Sequence, residues 1–387
     1  MKQSVPSIAL LFPLLLVLWS TTLQAQPVPV PSPPEVPADA YLLMDYDSGR
    51  VLVMRNADES KEPASITKLM TAYLVDVALR DNDISLGDQV PVSERAWRTE
   101  GSRMFIEVGK TVSVGDLLRG LVIQSGNDAA VALAEHVAGS ESAFAALMNH
   151  HAELIGLTRT HYVNSTGLPD PELYTTARDI ALLSQAMIRD FPENYRLYKE
   201  KEFTYNGIKQ YNRNQLLWRD EAVDGLKTGH TTSAGYCLAA SAKRGDQRLI
   251  AVVLGSPSEK ARTSATQALL SYGFRFFSTH KLYDAEQQLA QARVWKGAEK
   301  NLPLSLQQPL YVTIQRGRYD DLKAGMQVQP AIEAPVAKGT RLGTVTVTLD
   351  GETVAEVPLV ASADVGEGGM FSRAMDQGLM LIHSLFN

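Results

Sequence analysis

Three apolar runs, at residues 223–229, 236–242 and 248–254, follow one another across gaps of a few residues, and Arg244-Gly245-Asp246 turns the chain between the last two. Neighbouring parallel strands need a crossover of a dozen or more residues, so strands joined this tightly must pair antiparallel. Two shorter runs at 41–45 and 50–54, joined by Asp47-Ser48-Gly49, read as a further β-hairpin. Between these strand regions the period changes. Ile66, Leu69, Met70, Tyr73, Leu74 and Val77 recur every three or four residues, which puts one apolar stripe along a helix over 65–80. Helices are also expected at 114–121, 127–136 and 260–277. An antiparallel sheet with helices packed on it is an α+β arrangement.

The chain has 387 residues, more than one contiguous core usually serves, so a smaller second unit is expected. After residue 282, β-branched alternation at 310–314, 340–349 and 353–360 marks it as all-β, with Asp350-Gly351 a two-residue hairpin signal. Thirty-seven Lys and Arg against 43 Asp and Glu give a net charge of −6, which disfavours a nucleic-acid binder working by phosphate neutralisation. The single cysteine, Cys237, has no disulfide partner, and no Cys-x-x-Cys or His-Glu-x-x-His spacing offers a metal site. No cofactor or metal is therefore expected. His150 and His151 read as solvated, and Cys237 as a small core residue.

The N-terminus reads as an export signal over 1–25: Lys2, an apolar run at 8–19 too short to span a bilayer, and Ala25 at a plausible cleavage point. A proline-rich spacer covers 26–40, a catalytic domain 41–282, a β-rich domain 283–365 and a helical tail 366–387. The tail gathers Phe371, Ala374, Met375, Leu379, Ile382, Leu385 and Phe386 on one side and Ser372, Arg373, Asp376, Gln377 and Ser384 on the other. Such a helix lies in a membrane interface, and the glycines at 366–369 are expected to loosen the chain ahead of it.

The chemistry begins with Ser65 and Lys68, which sit one helical turn apart. A serine hydroxyl becomes a nucleophile when a neutral amine removes its proton, and burial keeps an amine neutral. Chance alone supplies roughly one Ser-x-x-Lys in a chain of this size, and Ser278 with Lys281 forms a second, read as a solvated helix end. What distinguishes the first pair is its company in order. Ser125-Gly126-Asn127 lies between two helices, and Lys227-Thr228-Gly229 lies on a strand. A nucleophile-base pair, a second hydroxyl and a cationic strand edge make a complete acyl-transfer site.

With these motifs the sequence resembles the penicillin-recognising serine DD-peptidases, and among them the D-alanyl-D-alanine carboxypeptidases of the penicillin-binding protein 5 and 6 type. The stretches QSGNDA (124–129), YKEKEFTYNG (198–207), NRNQLLW (212–218), DGLKTGHT (224–231) and YGFRFF (272–277) look like that subgroup. The resemblance covers essentially the whole mature chain. It implies a DD-peptidase/β-lactamase-like catalytic domain that removes the terminal D-alanine from peptidoglycan pentapeptides, with β-lactams as acylating inhibitors. The tail helix of such an exported chain is expected to attach it to the outer leaflet of the inner membrane. Ser65 then corresponds to the acylated nucleophile and Lys68 to its base, while Ser125 and Asn127 shape the proton path and hold substrate. Lys227 supplies positive charge beside the leaving group and helps keep Lys68 neutral, with Thr228 and Gly229 beside it. The amides of Ser65 and His230 match the oxyanion hole, and Arg262 the partner of the substrate carboxylate.

Three rival readings remain. A class A β-lactamase needs a Glu-x-x-Leu-Asn loop, and none lies between Ser125 and Lys227. A DD-endopeptidase that cuts crosslinks is closer, but such relatives generally lack the β-domain and tail. A vestigial wall-binding scaffold fits poorly with an intact motif set. Arg98 and Arg103, flanking Gly101, either steer acidic peptidoglycan or belong to an ordinary surface.

Overall fold

The computed structural model describes residues 30–386. The export signal and the first residues of the proline-rich spacer lie outside these residues, as do the side chains of the tail beyond residue 380. The core element is a five-stranded antiparallel sheet in the order Val51–Arg55, Ala40–Asp45, Gln247–Ser256, Gly235–Arg244, Val223–Thr231. Alternate residues of a strand point to opposite faces, so these strands must be apolar on both sides if both faces are covered. They are. Leu42, Met44, Ile250, Val252 and Leu254 join one buried cluster with the helices Lys68–Arg80, Asn127–Ala138 and Ala177–Asp190. Leu43, Leu249, Ala251 and Val253 join another with Leu269 and Leu270 of the helix Glu259–Phe276. Each leucine fully withdrawn from water in this way contributes about 2 kcal/mol.

The helices end where the sequence signals them. Ser258 accepts the amide of Ala261 at the start of the last catalytic helix, and Ser140 does the same for Ala143. The stripe expected over 65–80 becomes a 3-10 turn, Ala64–Thr67, leading into the α-helix Lys68–Arg80. The helix expected over 114–121 is α-helical at Val114–Arg119 and then widens into a π-turn, Gly120–Gln124, that delivers Ser125 in the left-handed region at φ 65°.

The second, all-β region is a six-stranded sheet ordered Leu322–Val328, Arg341–Leu349, Glu352–Ala361, Asn301–Ser305, Ala290–Trp295, Ile332–Glu333. Its core holds Val294, Leu302, Leu304, Val345, Val347 and Leu359. A further strand, Phe277–Tyr283, pairs with Leu310–Gln315. Ser278 and Lys281 therefore sit on a strand and not on a helix end as the sequence suggested, with Lys281 paired to Asp284. The two regions are joined by buried Asp45, whose carboxylate accepts the hydroxyls of Ser48 and Thr279 while Ser48 meets Thr313.

The tail differs from the expectation in two ways. Residues 366–369 do not loosen the chain: Ala298 N–H donates to the Gly366 carbonyl at 2.9 Å, and Gly368 N–H to that of Lys296 at 2.7 Å. Asp376, on the polar side of the helix Met370–Phe386, is buried. It accepts the Lys296 amide at 2.8 Å and the Arg293 guanidinium at 3.4 Å. Phe371, Met375 and Leu379 face outward. A carboxylate that satisfies a backbone N–H leaves that group stranded when removed, at a cost of about 1–3 kcal/mol. Asp376→Ala is accordingly expected to speed hydrogen exchange of the Lys296 amide at least tenfold while catalysis by the distant first domain stays unchanged; unaltered exchange refutes the docking.

Candidate active site

One cleft of about 320 Å³ opens where the 3-10 turn, the end of the π-turn and the edge strand meet. Ser65, Ser125, Asn127, Thr228, Gly229, His230 and Arg262 all line it. The amines of Lys68 and Lys227 lie buried directly behind, so the structure brings together every residue expected there. The strand Val223–Thr231 is the open edge of its sheet, and Gly229 lets it approach the nucleophile turn. A Cβ at that position would stand 3.0 Å from the Pro63 carbonyl oxygen and 3.2 Å from the Ala64 methyl.

Lys68 Nζ donates to Ser65 Oγ at 3.2 Å, to Asn127 Oδ1 at 2.6 Å and to the Thr166 carbonyl at 2.6 Å. Three acceptors match the three hydrogens of an ammonium, yet burial still pushes its pKa down to about 7, with Asp128 opposing and Arg213 adding to the fall. The leading cause is thus desolvation, and the assisting cation is Arg213, where the sequence pointed to Lys227. Lys227 Nζ donates to Ser125 Oγ at 2.8 Å and to the Thr228 carbonyl at 3.1 Å. Its pKa falls well below the usual lysine value through burial first, then through Lys68, Arg213 and Arg262.

Arg262 is almost fully buried. It donates to the Gly229 carbonyl at 3.2 Å and to Glu259 at 3.1 Å, and lies against the Tyr236 ring. Its Nε has no partner among the described residues, and burial lowers its pKa. His230 is exposed and packs on the opposite strand's Tyr236, ring centroids 4.0 Å apart. Arg98 and Arg103 turn away from the cleft: Arg98 pairs with Glu94, and Arg103 donates to the Thr99 carbonyl. Gly101 and Ser102 line the cleft instead.

Several residues that hold the site have no place in the motifs. Asp128 collects the amides of Met104, Phe105 and Ile106, which fixes the loop whose Ser102 carbonyl accepts the Asn127 amide. Glu141 receives both the amide and the hydroxyl of Ser165, and Asn164 Oδ1 receives the amides of Thr166 and Gly167. Together they aim the Thr166 carbonyl at Lys68. Arg213, exposed on the cleft wall, donates to the Gln124 carbonyl at 3.1 Å. A buried Asp following a helix-starting Asn, and an Arg inside NRNQLLW, were the available sequence signals.

Comparison with known proteins agrees with this geometry. Residues 28–258 match the D-alanyl-D-alanine carboxypeptidase family of peptidases, and 277–367 match the C-terminal domain of penicillin-binding protein 5. The chain belongs to the D-alanyl-D-alanine carboxypeptidase family. Within that family it is 46% identical over 361 residues to the D-alanyl-D-alanine carboxypeptidase DacC of Escherichia coli, covering 91% of this chain and 90% of the relative. The crystal structure of penicillin-binding protein 5 from Haemophilus influenzae superimposes with a TM-score of 0.84 at 43% identity, covering 87% of this chain and 99% of that one. Ampicillin-bound penicillin-binding protein D2 from Listeria monocytogenes matches 62% of this chain and 98% of its own, with a TM-score of 0.58 and 32% identity. The fold is thus the family's penicillin-recognising domain followed by an all-β domain.

Gly167 shows how closely the family's site is built here. Its φ is +80°, and an added Cβ would stand 1.8 Å from the Ala64 carbonyl oxygen, backbone against backbone. Gly167→Ala must therefore displace either the Thr166 carbonyl or the nucleophile turn. We expect a stability loss of at least about 2 kcal/mol by denaturant titration, together with loss of covalent penicillin labelling. Normal labelling and stability would show that the loop has slack.

Proposed function

We propose that this protein is a serine-type D-Ala-D-Ala carboxypeptidase that removes the terminal D-alanine from peptidoglycan pentapeptides through an acyl-enzyme on Ser65. The observation that carries the reading is the charge balance of the cleft. Four basic groups, Lys68, Lys227, Arg213 and Arg262, converge on it, burial lowers the pKa of each, and Glu259 is the acid that lines it. A substrate ending in a free carboxylate supplies the missing anion.

In the mechanism, neutral Lys68 takes the Ser65 proton as Oγ attacks the carbonyl of the penultimate D-alanine. The amides of Ser65 and His230 receive the developing oxyanion. The path from Lys68 to the leaving amine runs by way of Ser125, which Lys227 holds at 2.8 Å, and Asn127 keeps the Lys68 amine in place. Thr228, Gly229 and Arg262, which line the cleft, hold the substrate's terminal carboxylate side. Water then hydrolyses the acyl-enzyme. A β-lactam enters the same route and acylates Ser65.

The enzyme works, in this reading, on the periplasmic side of the inner membrane after removal of residues 1–25. The apolar face of Met370–Phe386 attaches to the membrane surface while the β-rich domain stands between membrane and catalytic cleft. Among the described residues no helix is long and apolar enough to cross a membrane, and the outward placement of Phe371, Met375 and Leu379 supports interfacial contact.

Mass spectrometry of pentapeptide muropeptides after digestion tests the reaction. Loss of a single alanine is expected from the wild type and none from Ser65→Ala; cleavage of crosslinked dimers instead would make the protein an endopeptidase, and an unchanged substrate would leave a scaffold. The pH profile tests the base. Since only the neutral amine accepts a proton, acylation should rise with pH through about 7, falling about tenfold per unit below it. Lys68→Arg, which stays protonated, should acylate about 10²–10⁴-fold more slowly with no such inflection. A near-normal rate in that variant means that another group acts as base.

A further inference from the structure

Behind the catalytic helix lies a second cavity, of about 250 Å³, whose walls are largely apolar: Ala72, Leu118, Val122, Leu197 and Tyr198. Three carboxylates line it, and of these Asp76 is the buried one. Asp76 projects from the helix Lys68–Arg80 about 12 Å along the axis from Lys68, and only 4% of it is exposed. Its Oδ1 accepts the Asn194 side-chain amide at 2.7 Å, and Oδ2 has no hydrogen-bond partner among the described residues. The charged residues around the mouth are already engaged with one another. Arg119 pairs with Glu200 at 3.4 Å and lies 3.9 Å from Asp116, and Arg196 pairs with Glu193 at 2.9 Å. The Tyr198 hydroxyl points to the Met187 sulfur. No cation of the described chain reaches Asp76.

A buried carboxylate without a counter-ion is among the costliest groups a fold can keep. Nothing in the acyl-transfer mechanism uses this one. Here burial pushes its pKa up to about 7, the Asn194 hydrogen bond opposing. The position is therefore poised between a neutral acid and an anion seeking a cation.

We propose that this cavity is a binding site for a small organic monocation, an ammonium carried on an apolar body, whose charge pairs with Asp76 while its body fills the apolar wall. The site is separate from the Ser65 cleft and does not depend on the carboxypeptidase reading. An alkylammonium or arylammonium has the right parts: N–H donors for the free Oδ2 and a hydrocarbon that gains by leaving water. An inorganic cation lacks the second, and a neutral hydrophobe lacks the first. Binding requires the ionised carboxylate, so below pH 7 the ligand must displace a proton. Affinity should then be about tenfold greater at pH 8 than at pH 6.

The test is calorimetric titration of the full chain, acylated with penicillin to close the Ser65 cleft, with benzylamine and with the near-isosteric neutral benzyl alcohol. Benzylamine is expected to bind saturably, about tenfold tighter at pH 8 than at pH 6, while benzyl alcohol binds more weakly and without pH dependence. Asp76→Asn keeps the Asn194 hydrogen bond and should reduce benzylamine affinity at pH 8 at least tenfold, bringing it to the level of the alcohol. The wild-type comparison of the two ligands stands alone should the variant not fold. Equal affinity for amine and alcohol, absence of saturable amine binding, or an undiminished response in Asp76→Asn would each overturn the proposal.

Discussion

The Lys68 amine is the constraint around which the catalytic domain is organised. It is fully buried at the first residue of an α-helix, where the positive end of the helix dipole adds to the cost of a charge. Such a group persists only if its donors are met, and each acceptor comes from a different part of the chain: Ser65 one turn back, Asn127 from the next motif, and Thr166 from a distant loop. Positioning those acceptors in turn requires Asp128, Glu141 and Asn164. Much of the polar interior is therefore a scaffold for holding one amine near neutrality. The same geometry leaves that amine in contact with Ser65, whose proton it would take in the proposed mechanism.

This hierarchy explains which parts were legible in the sequence. Ser65, Lys68, Ser125, Asn127 and Lys227 are recognisable because the chemistry needs their side chains, at spacings that a helix turn and a strand impose. The hairpins at Asp47-Ser48-Gly49, Arg244-Gly245-Asp246 and Asp350-Gly351 are equally plain, since left-handed turn positions favour glycine, and Gly49, Gly245 and Gly351 all have positive φ. The Thr166 carbonyl carries no such mark, for any residue could supply it. Asp128 and Glu141 act on backbone amides that pattern reading does not pair with them. The π-turn before Ser125 is likewise invisible to a 3.6-residue period, although it sets where the second hydroxyl points.

The tail shows a different limit, in which a pattern separates two sides of a helix without saying what the polar side meets. The helical wheel separates apolar from polar residues properly, but the wheel cannot tell which side meets protein. Asp376 makes the difference: two donors from Ala290–Trp295 and its following turn draw this one carboxylate inward, while Phe371, Met375 and Leu379 stay outside. The glycines before the helix serve close approach, not slack. A Cβ at Gly368 would stand 2.7 Å from the Gly297 carbonyl oxygen. An amphipathic helix fixed this way presents its apolar face in a direction set by the β-rich domain.

The catalytic cleft and the cavity behind it share one physical logic with opposite signs. In front, buried basic groups outnumber the acids, and in the rear an acid stands without a base. Both conditions destabilise the free protein, because each ionised form pays desolvation that no partner returns. Proteins tolerate such departures from local consistency chiefly where a ligand completes the balance. In the proposed function the completing charge comes with the substrate, whose carboxylate would be recognised through relief of repulsion among Lys227, Arg213 and Arg262 as much as through any single contact. Rigid neighbours are what make this relief selective. The strand edge at Gly229 stands against the Pro63 carbonyl and the Ala64 methyl, and the loop at Gly167 against the Ala64 carbonyl, so neither has room to give way and the basic groups cannot spread apart to ease their own repulsion.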